Sequence, residues 1–298
     1  MKVETIIDVI YEKHRERTQE EMKSITPEEY KKYNEKTLDY YRNEFEPYIY
    51  QYLTWHYGQK LDTFWETHEF PKKSKYAWVM VERRSHPNFW FVLRNIAWAA
   101  PYMSLYIFCS NMNYNFIMRL LGDKVKNVTV IPWFEGFVSR DEGKEQYNRT
   151  FKMADFYKLI DAEYMLTVQM DCFFRKKLPE SVFVADYYGN PWAWAPEKGG
   201  GGGITLRNIK RMIEIVSNVP ESERLDGGTV EDGWIAEHVY KQGNNIPPLE
   251  YRMNIFSENF PVQDPYGVHQ FWTFIENFNV KEPNVFFQDY VRYLTIDI

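Results

Sequence analysis

The sequence predicts an α/β fold, a layered sheet flanked by helices and preceded by a helical extension. Three observations lead there. From Tyr76 to Val168, short apolar runs alternate with segments of helical periodicity, the pattern of a sheet built with right-handed crossovers. Residues 1–70 break that pattern: they are rich in Glu, Lys and Tyr and contain no glycine before Gly58. The chain's 298 residues, 44% hydrophobic and 26% charged, suffice for one large domain plus an appendage with an ordinary globular balance. The division expected is a helical extension over 1–70 and a main domain over 71–298.

In the extension, Thr26-Pro27-Glu28-Glu29 reads as a helix start, with Thr as N-cap, Pro at the first helical position and acids in the first turn. Apolar and Tyr positions then recur at helical spacing through Tyr52. Two or three helices are expected, which could pack on the main domain, join two copies into a homodimer or touch a substrate. Beyond them, strands are expected at 76–81, 104–109, 127–131 and 164–168, with helices at 89–100, 115–121 and 148–160. Such sheets hold ligands beyond the carboxyl ends of their strands, which selects residues 82–83, 110–111, 132–135 and 169–171. The glycine run Gly199–Gly203 precedes another apolar strand and helix. Glycines let backbone approach a ligand closely, so the run reads as a ligand-facing loop, with a plain linker as the other reading.

Composition excludes several classes. The net charge is -6 and no long Lys/Arg run is present, so nucleic acid has no electrostatic footprint. No apolar run approaches the ~20 residues a membrane helix needs, and the N-terminus lacks an apolar signal region. Cys109 and Cys172 each sit in an apolar run, which fits free buried thiols in a reducing compartment. A cytoplasmic location without a membrane span is expected.

Several polar residues at strand ends suggest chemistry. Asp171 ends a buried run as Gln169-Met170-Asp171; Glu231-Asp232 precedes an apolar helical stretch; His269 lies in Gly267-Val268-His269-Gln270. Taken singly, these could be a strand cap, a helix start that complements its dipole and a satisfied core histidine. Glu82 and Arg83 end the first strand, and Asn111 the second. Tyr147, Asn148 and Lys152 open the helix expected at 148–160, where amide dipoles favour an anion; an N-cap role for Asn148 is the alternative. Trp192 and Trp194 flank a turn before the glycine run, and Gly201 and Gly202 are its central members.

The segment around Asp171 resembles the DxD segment of GT-A glycosyltransferases, with Gln169 in place of the first acid. The order of strand-end Asp171, glycine run, Glu231-Asp232 and Gly267-Val-His269 is similar to the order of GT-A landmarks. Val81-Glu-Arg-Arg-Ser-His-Pro-Asn-Phe89, Leu93-Arg-Asn95, Tyr147-Asn148, Asp186-Tyr-Tyr-Gly-Asn-Pro-Trp192, Ile204-Thr-Leu-Arg207 and Gly267-Val-His-Gln-Phe-Trp272 extend the likeness. They resemble a little-characterised glycosyltransferase-like family of large DNA viruses, bacteria and fungi. That resemblance covers about two thirds of the chain. It implies a GT-A-like, Rossmann-type mixed sheet flanked by helices, and a glycosyltransferase of the hexosyltransferase class. A nucleotide sugar, UDP-sugar by preference, would be the donor, and a glycan or glycoprotein hydroxyl the acceptor. It implies Asp171 and His269 as ligands of Mn²⁺ or Mg²⁺, Asp232 as base and Glu231 toward the acceptor. Donor contacts would fall to Glu82, Arg83, Asn111, Tyr147, Asn148, Lys152, Gln169, Trp192, Gly201 and Gly202. The missing first acid leaves a second reading open, a non-catalytic nucleotide-sugar- or glycan-binding module with a degenerate site.

Overall fold

The computed structural model describes residues 46–192, 195–225, 230–243, 245–258, 264–270, 272 and 294–298. The helix start at Thr26-Pro27 and the side chain of Trp194 lie outside these residues. The described chain opens with α1 (Glu46–Thr67), then runs β1 (Tyr76–Glu82), α2 (Phe89–Ala99), β2 (Ser104–Ser110), α3 (Tyr114–Leu121), β3 (Thr129–Phe134), α4 (Arg140–Thr150), α5 (Ala154–Lys158) and β4 (Tyr164–Val168). It continues through β5 (Cys172–Phe174), β6 (Tyr187–Asn190), β7 (Gly201–Asn208), α6 (Ile209–Ser217), α7 (Glu221–Arg224), α8 (Glu231–Lys241), α9 (Leu249–Ile255), β8 (Phe256–Ser257) and β9 (Gly267–His269).

Six strands form one sheet in the order β3-β2-β1-β4-β7-β6. The first four are parallel, while β7 runs antiparallel to both β4 and β6. The α/β class and the mixed sheet flanked by helices are therefore as the sequence predicts. Central parallel strands are covered on both faces, and every residue of β1 and β2 is buried. Their side chains alternate between two cores. Trp78, Met80, Leu105 and Ile107 face a layer with α1, α2 and α3. Ala77, Val79, Tyr106 and Phe108 face one with α5, α6 and α8. A three-stranded sheet, β5-β9-β8, stands apart from the six. Among the described residues no helix is long and apolar enough to cross a membrane, and both cysteines are free and buried.

The described part of the extension shares the main core. Ile49, Tyr50, Leu53, Leu61 and Trp65 of α1 are buried in it. Buried Arg94 of α2 pairs with Asp62 and donates to the Gly58 carbonyl at 3.2 Å, and the Tyr50 hydroxyl donates to the Cys172 carbonyl at 2.8 Å.

Two expected elements differ. The helix expected at 148–160 is instead α4 and α5, and α4 starts at residue 140 because Ser139 and Glu142 form a reciprocal capping box. Tyr147 and Asn148 thus sit near the end of a helix, and Lys152 beyond it, so the N-terminal amide dipole invoked for them is not there. The glycine run is also more than a loop: Gly201–Gly203 are the first residues of β7, because Gly201 pairs with Asn190 of β6 and the Gly203 carbonyl accepts from Gln169 just past β4.

One buried polar link ties β7 to α8. Arg207 donates to Glu231 Oε2 at 3.0 Å, to the Tyr157 hydroxyl at 3.1 Å and to Thr205 Oγ1 at 2.9 Å. Burial alone would strip charge from the guanidinium, but Glu231, Tyr157 and Tyr187 reverse this and hold it charged. Burial pushes Glu231 up to about 7, with Arg207 pulling the other way. Removing one partner of such a pair strands the other's charge in the interior. Glu231→Ala should lose about 3–5 kcal/mol in urea unfolding; a loss under about 1 kcal/mol, the range of an exposed pair, would show that the pair does not hold α8.

Candidate active site

The three-stranded sheet brings the polar residues together. β5 pairs with β9 so that Cys172 lies opposite His269, and the Gln270 amide donates to the Asp171 carbonyl at 3.1 Å. On the other side of β9, β8 runs parallel with Ser257 opposite Val268. Asp171 just before β5, His269 ending β9 and Glu258 just after β8 are thereby level. The imidazole lies between two carboxylates: Nε2 is 3.3 Å from Asp171 Oδ1 and Nδ1 is 3.1 Å from Glu258 Oε1. His269 is 2% exposed and Glu258 5%. Nε2 has no hydrogen-bond partner, so the approach to Asp171 is close without being directed along the ring N–H.

The glycine strand closes over this row. Because β7 is antiparallel to β4, with Val168 opposite Ile204, its first residues arrive at the carboxyl end of β4. There the Gln169 amide donates to the Gly203 carbonyl at 2.9 Å. A Cβ on Gly203 would lie 2.4 Å from His269 Cδ2 and 2.5 Å from Cys172 Sγ. On Gly202, whose φ is +80°, it would lie 2.7 Å from Glu258 Oε2. Space at Gly203 and backbone conformation at Gly202 disfavour any other residue. The Gly202 amide donates to Asp232 Oδ2 at 2.9 Å, and the Gly233 amide to Asp232 Oδ1 at 2.7 Å. Asp232, in the first turn of α8, is thus fixed by both oxygens next to the glycine strand.

These groups form one end of a cleft of about 2120 Å³ that also takes in the ends of β1 and β2, the start of α1 and the loop into α4. This is the carboxyl edge of the parallel strands, the expected place for a ligand. Eleven of the residues selected from the sequence line it: Glu82, Arg83, Tyr147, Asn148, Gln169, Asp171, Trp192, Gly202, Glu231, Asp232 and His269. Their contacts differ. Glu82 carries the Arg84 guanidinium, at 2.9 and 2.8 Å to its two oxygens. Arg83 lies over the Phe134 ring at 4.7 Å and donates to the Gly136 carbonyl, while its buried Nη1 has no partner. The Gln169 amide donates to the Tyr147 hydroxyl at 2.7 Å. Asn148 accepts from the Glu231 amide at 3.3 Å. Glu231 is 3% exposed and held by Arg207. Three selected residues are not in the wall. Asn111 accepts from the Gly136 amide at 3.1 Å and holds the turn after β3. Lys152 is buried over Trp234 at 5.8 Å, and Gly201 is packed against Trp192 and Asp232.

Three groups near His269 were not selected from the sequence. Glu258 lies in a stretch without periodicity, and only the β8–β9 register shows its role. Glu46 accepts from Asn88 Nδ2 at 2.7 Å, and Asn88 also donates to the Met170 carbonyl at 3.1 Å. Burial, then the charge of Asp171, pushes Glu46 up to about 8. Cys172 Sγ lies within 4.8 Å of ligand atoms of Asp171 and His269, and burial raises its thiol pKa.

A sequence-family profile described as "Protein of unknown function (DUF5672)" matches residues 136–269, from the turn after β3 to His269. No curated protein matches. Among solved structures the chain is similar to mouse xyloside xylosyltransferase 1 in its apo form, at 9% identity and a TM-score of 0.44, over 65% of this chain and 97% of that one. It is also similar to the apo glycosyltransferase GlyE of Streptococcus pneumoniae TIGR4, at 9% identity and a TM-score of 0.44, over 75% of this chain and 65% of that one.

The donor set fits a divalent cation. Asp171 offers oxygen and His269 offers an unpartnered buried Nε2, a pair that Mn²⁺ accepts readily. Without a cation the ring holds a proton tightly: burial disfavours its charge, but the Glu258 and Asp171 carboxylates outweigh burial and raise its pKa. A cation must displace that proton, so its affinity should weaken about tenfold for each unit the pH falls below neutrality. Mn²⁺ titrations between about pH 6 and pH 8 measure this; an affinity independent of pH would remove His269 as a ligand.

Proposed function

We propose that this protein is a glycosyltransferase that moves a sugar from a nucleotide-sugar donor, a UDP-sugar by preference, to a hydroxyl of a glycan or glycoprotein acceptor. The observation that carries the reading is the Asp171–His269 pair at 3.3 Å, on the floor of a cleft at the carboxyl edge of the parallel strands. Asp171 and His269 would hold a divalent metal, which when bound supplies positive charge against the leaving diphosphate.

The chain's own residues do the rest. Arg83, with a buried unpartnered Nη1 at the cleft wall, offers charge and hydrogen bonds to a phosphate or a base. Gln169 takes the place of an acid without its charge. Its side-chain amide is spent on Tyr147, so it orders the wall beside Asp171. The bare backbone of Gly202 makes room for Glu258 and His269 beside the cleft. Asp232, held by two backbone amides, has its carboxylate beside the glycine strand at the cleft wall. If the reaction inverts, the acceptor oxygen bonds the anomeric carbon as the bond to the diphosphate breaks, and Asp232 takes the acceptor's proton. If it retains configuration, Asp232 orients a sugar hydroxyl. Glu231, bonded to Arg207, anchors the start of the helix that bears Asp232.

The uncharged Gln169 favours one other reading, a module that binds the nucleotide sugar without turning it over. Release of free nucleotide from a panel of nucleotide sugars, with Mn²⁺ or with chelator, separates the two. Mn²⁺-dependent release is expected from one donor. It should vanish in Asp171→Asn while the circular dichroism spectrum stays unchanged, and full activity in that variant would overturn the metal assignment. Asp232→Asn should lower transfer to acceptor by about 10²–10⁴-fold, the range for loss of a general base. Transfer left at the wild-type rate would remove the proton-accepting role. Binding of a nucleotide sugar with no release from any donor would favour the non-catalytic module.

A further inference from the structure

Two groups compete for His269 Nδ1. The Gly203 amide approaches it at 3.2 Å as a donor, which requires a lone pair on that nitrogen. Glu258 Oε1 approaches at 3.1 Å as an acceptor, which requires a proton there. Both cannot be satisfied at once. Glu258 is 5% exposed and its Oε2 meets no hydrogen-bond donor, so the carboxylate depends on this ring nitrogen. A buried carboxylate persists only where it is paired, and a charge-assisted bond outweighs a neutral one. When the ring carries a single proton, as it must to ligate a cation, that proton therefore stays on Nδ1. The lone pair is left on Nε2, the atom that faces Asp171 at 3.3 Å and has no hydrogen-bond partner.

We propose that Glu258 is a positioning residue that fixes the Nδ1–H tautomer of His269 and so presents Nε2, with Asp171, to a divalent cation. This rests on the reading of Asp171 and His269 as metal ligands. Placement follows from the fold. Glu258 comes directly after β8, level with the end of β9, and Gly202 makes room for its Oε2, since a Cβ there would sit 2.7 Å away. Without the carboxylate the competition reverses. The Gly203 amide takes the Nδ1 lone pair, the proton moves to Nε2, Asp171 accepts it, and the pair closes on itself with no lone pair for a cation. Glu258→Gln does the same more firmly, because its amide can itself donate to Nδ1.

The test uses the full chain and the metal alone. Free Mn²⁺ is followed by electron paramagnetic resonance for the wild type, Glu258→Gln and Glu258→Asp, with folding checked by circular dichroism. Loss of a residue that orients a ligating histidine commonly weakens metal binding about 10–100-fold. That loss is expected for Glu258→Gln, with most affinity recovered in Glu258→Asp. A residue that merely fills space would not be rescued by the shorter acid. A second readout is the ¹⁵N spectrum of the histidine rings in the Mg²⁺-loaded wild type, with His269 assigned by comparison with His269→Asn. The single ring proton is expected on Nδ1. Wild-type Mn²⁺ affinity in Glu258→Gln, or a ring proton on Nε2, would overturn the proposal. If Glu258→Gln does not fold, the wild-type spectrum decides alone. If the wild type binds neither cation, the metal reading fails, and the metal-free spectrum, taken at a pH high enough to leave the ring one proton, still decides whether Glu258 holds that proton on Nδ1.

Discussion

The site depends on the pairing of three short strands. β9 is three residues long and lies between β5 and β8. It carries the histidine, and its neighbours carry the two acids. Backbone register, set by hydrogen bonds to peptide groups, thus decides which side chains meet. A slip of one residue in either pairing would turn His269 to the opposite face and separate Asp171 from Glu258. The Glu258 carboxylate can be buried this deeply because a histidine that can carry charge lies between it and the half-buried Asp171.

The larger sheet supplies what the small one lacks. Its parallel strands converge on one edge, and the antiparallel entry of β7 brings a run of bare backbone to that same edge. Gly202 and Gly203 are close enough to Glu258, His269 and Cys172 that a methyl group would collide. The amide of Gly202 then orients Asp232, and the buried Arg207–Glu231 pair fixes the helix that bears it. α1 completes the far wall, with Glu46 turned toward the same acids.

Much of the fold could be read from the sequence, and the reason is local. β1, β2 and β4 are short apolar runs, α3 has the periodicity of one buried face, and α2 is apolar and buried nearly all round. The extent of α4 was written in Ser139-x-x-Glu142, a capping box in a polar stretch with no hydrophobic pattern to draw attention to it. The strand character of Gly201–Gly203 was not legible, since glycine has no strand propensity and only backbone bonds to Asn190 and Gln169 make it a strand. The site followed the same division. Asp171, Asp232 and His269 stand at recognisable boundaries and meet in one cleft. Asn111 and Lys152 stand at equally plausible boundaries but serve a turn and a core. Glu258 and Glu46 had no local signal, because their importance comes from contacts across more than ten and more than a hundred residues of chain respectively.

The reading of Asp171 and His269 as a paired metal site that accepts a nucleoside diphosphate can be tested by diffraction. Crystals grown with Mn²⁺ and UDP should show one strong anomalous peak at the manganese edge, touching the Asp171 carboxylate and His269 Nε2, with the diphosphate against it. A peak elsewhere, or UDP bound in the cleft with no metal at the Asp171–His269 pair, would contradict it.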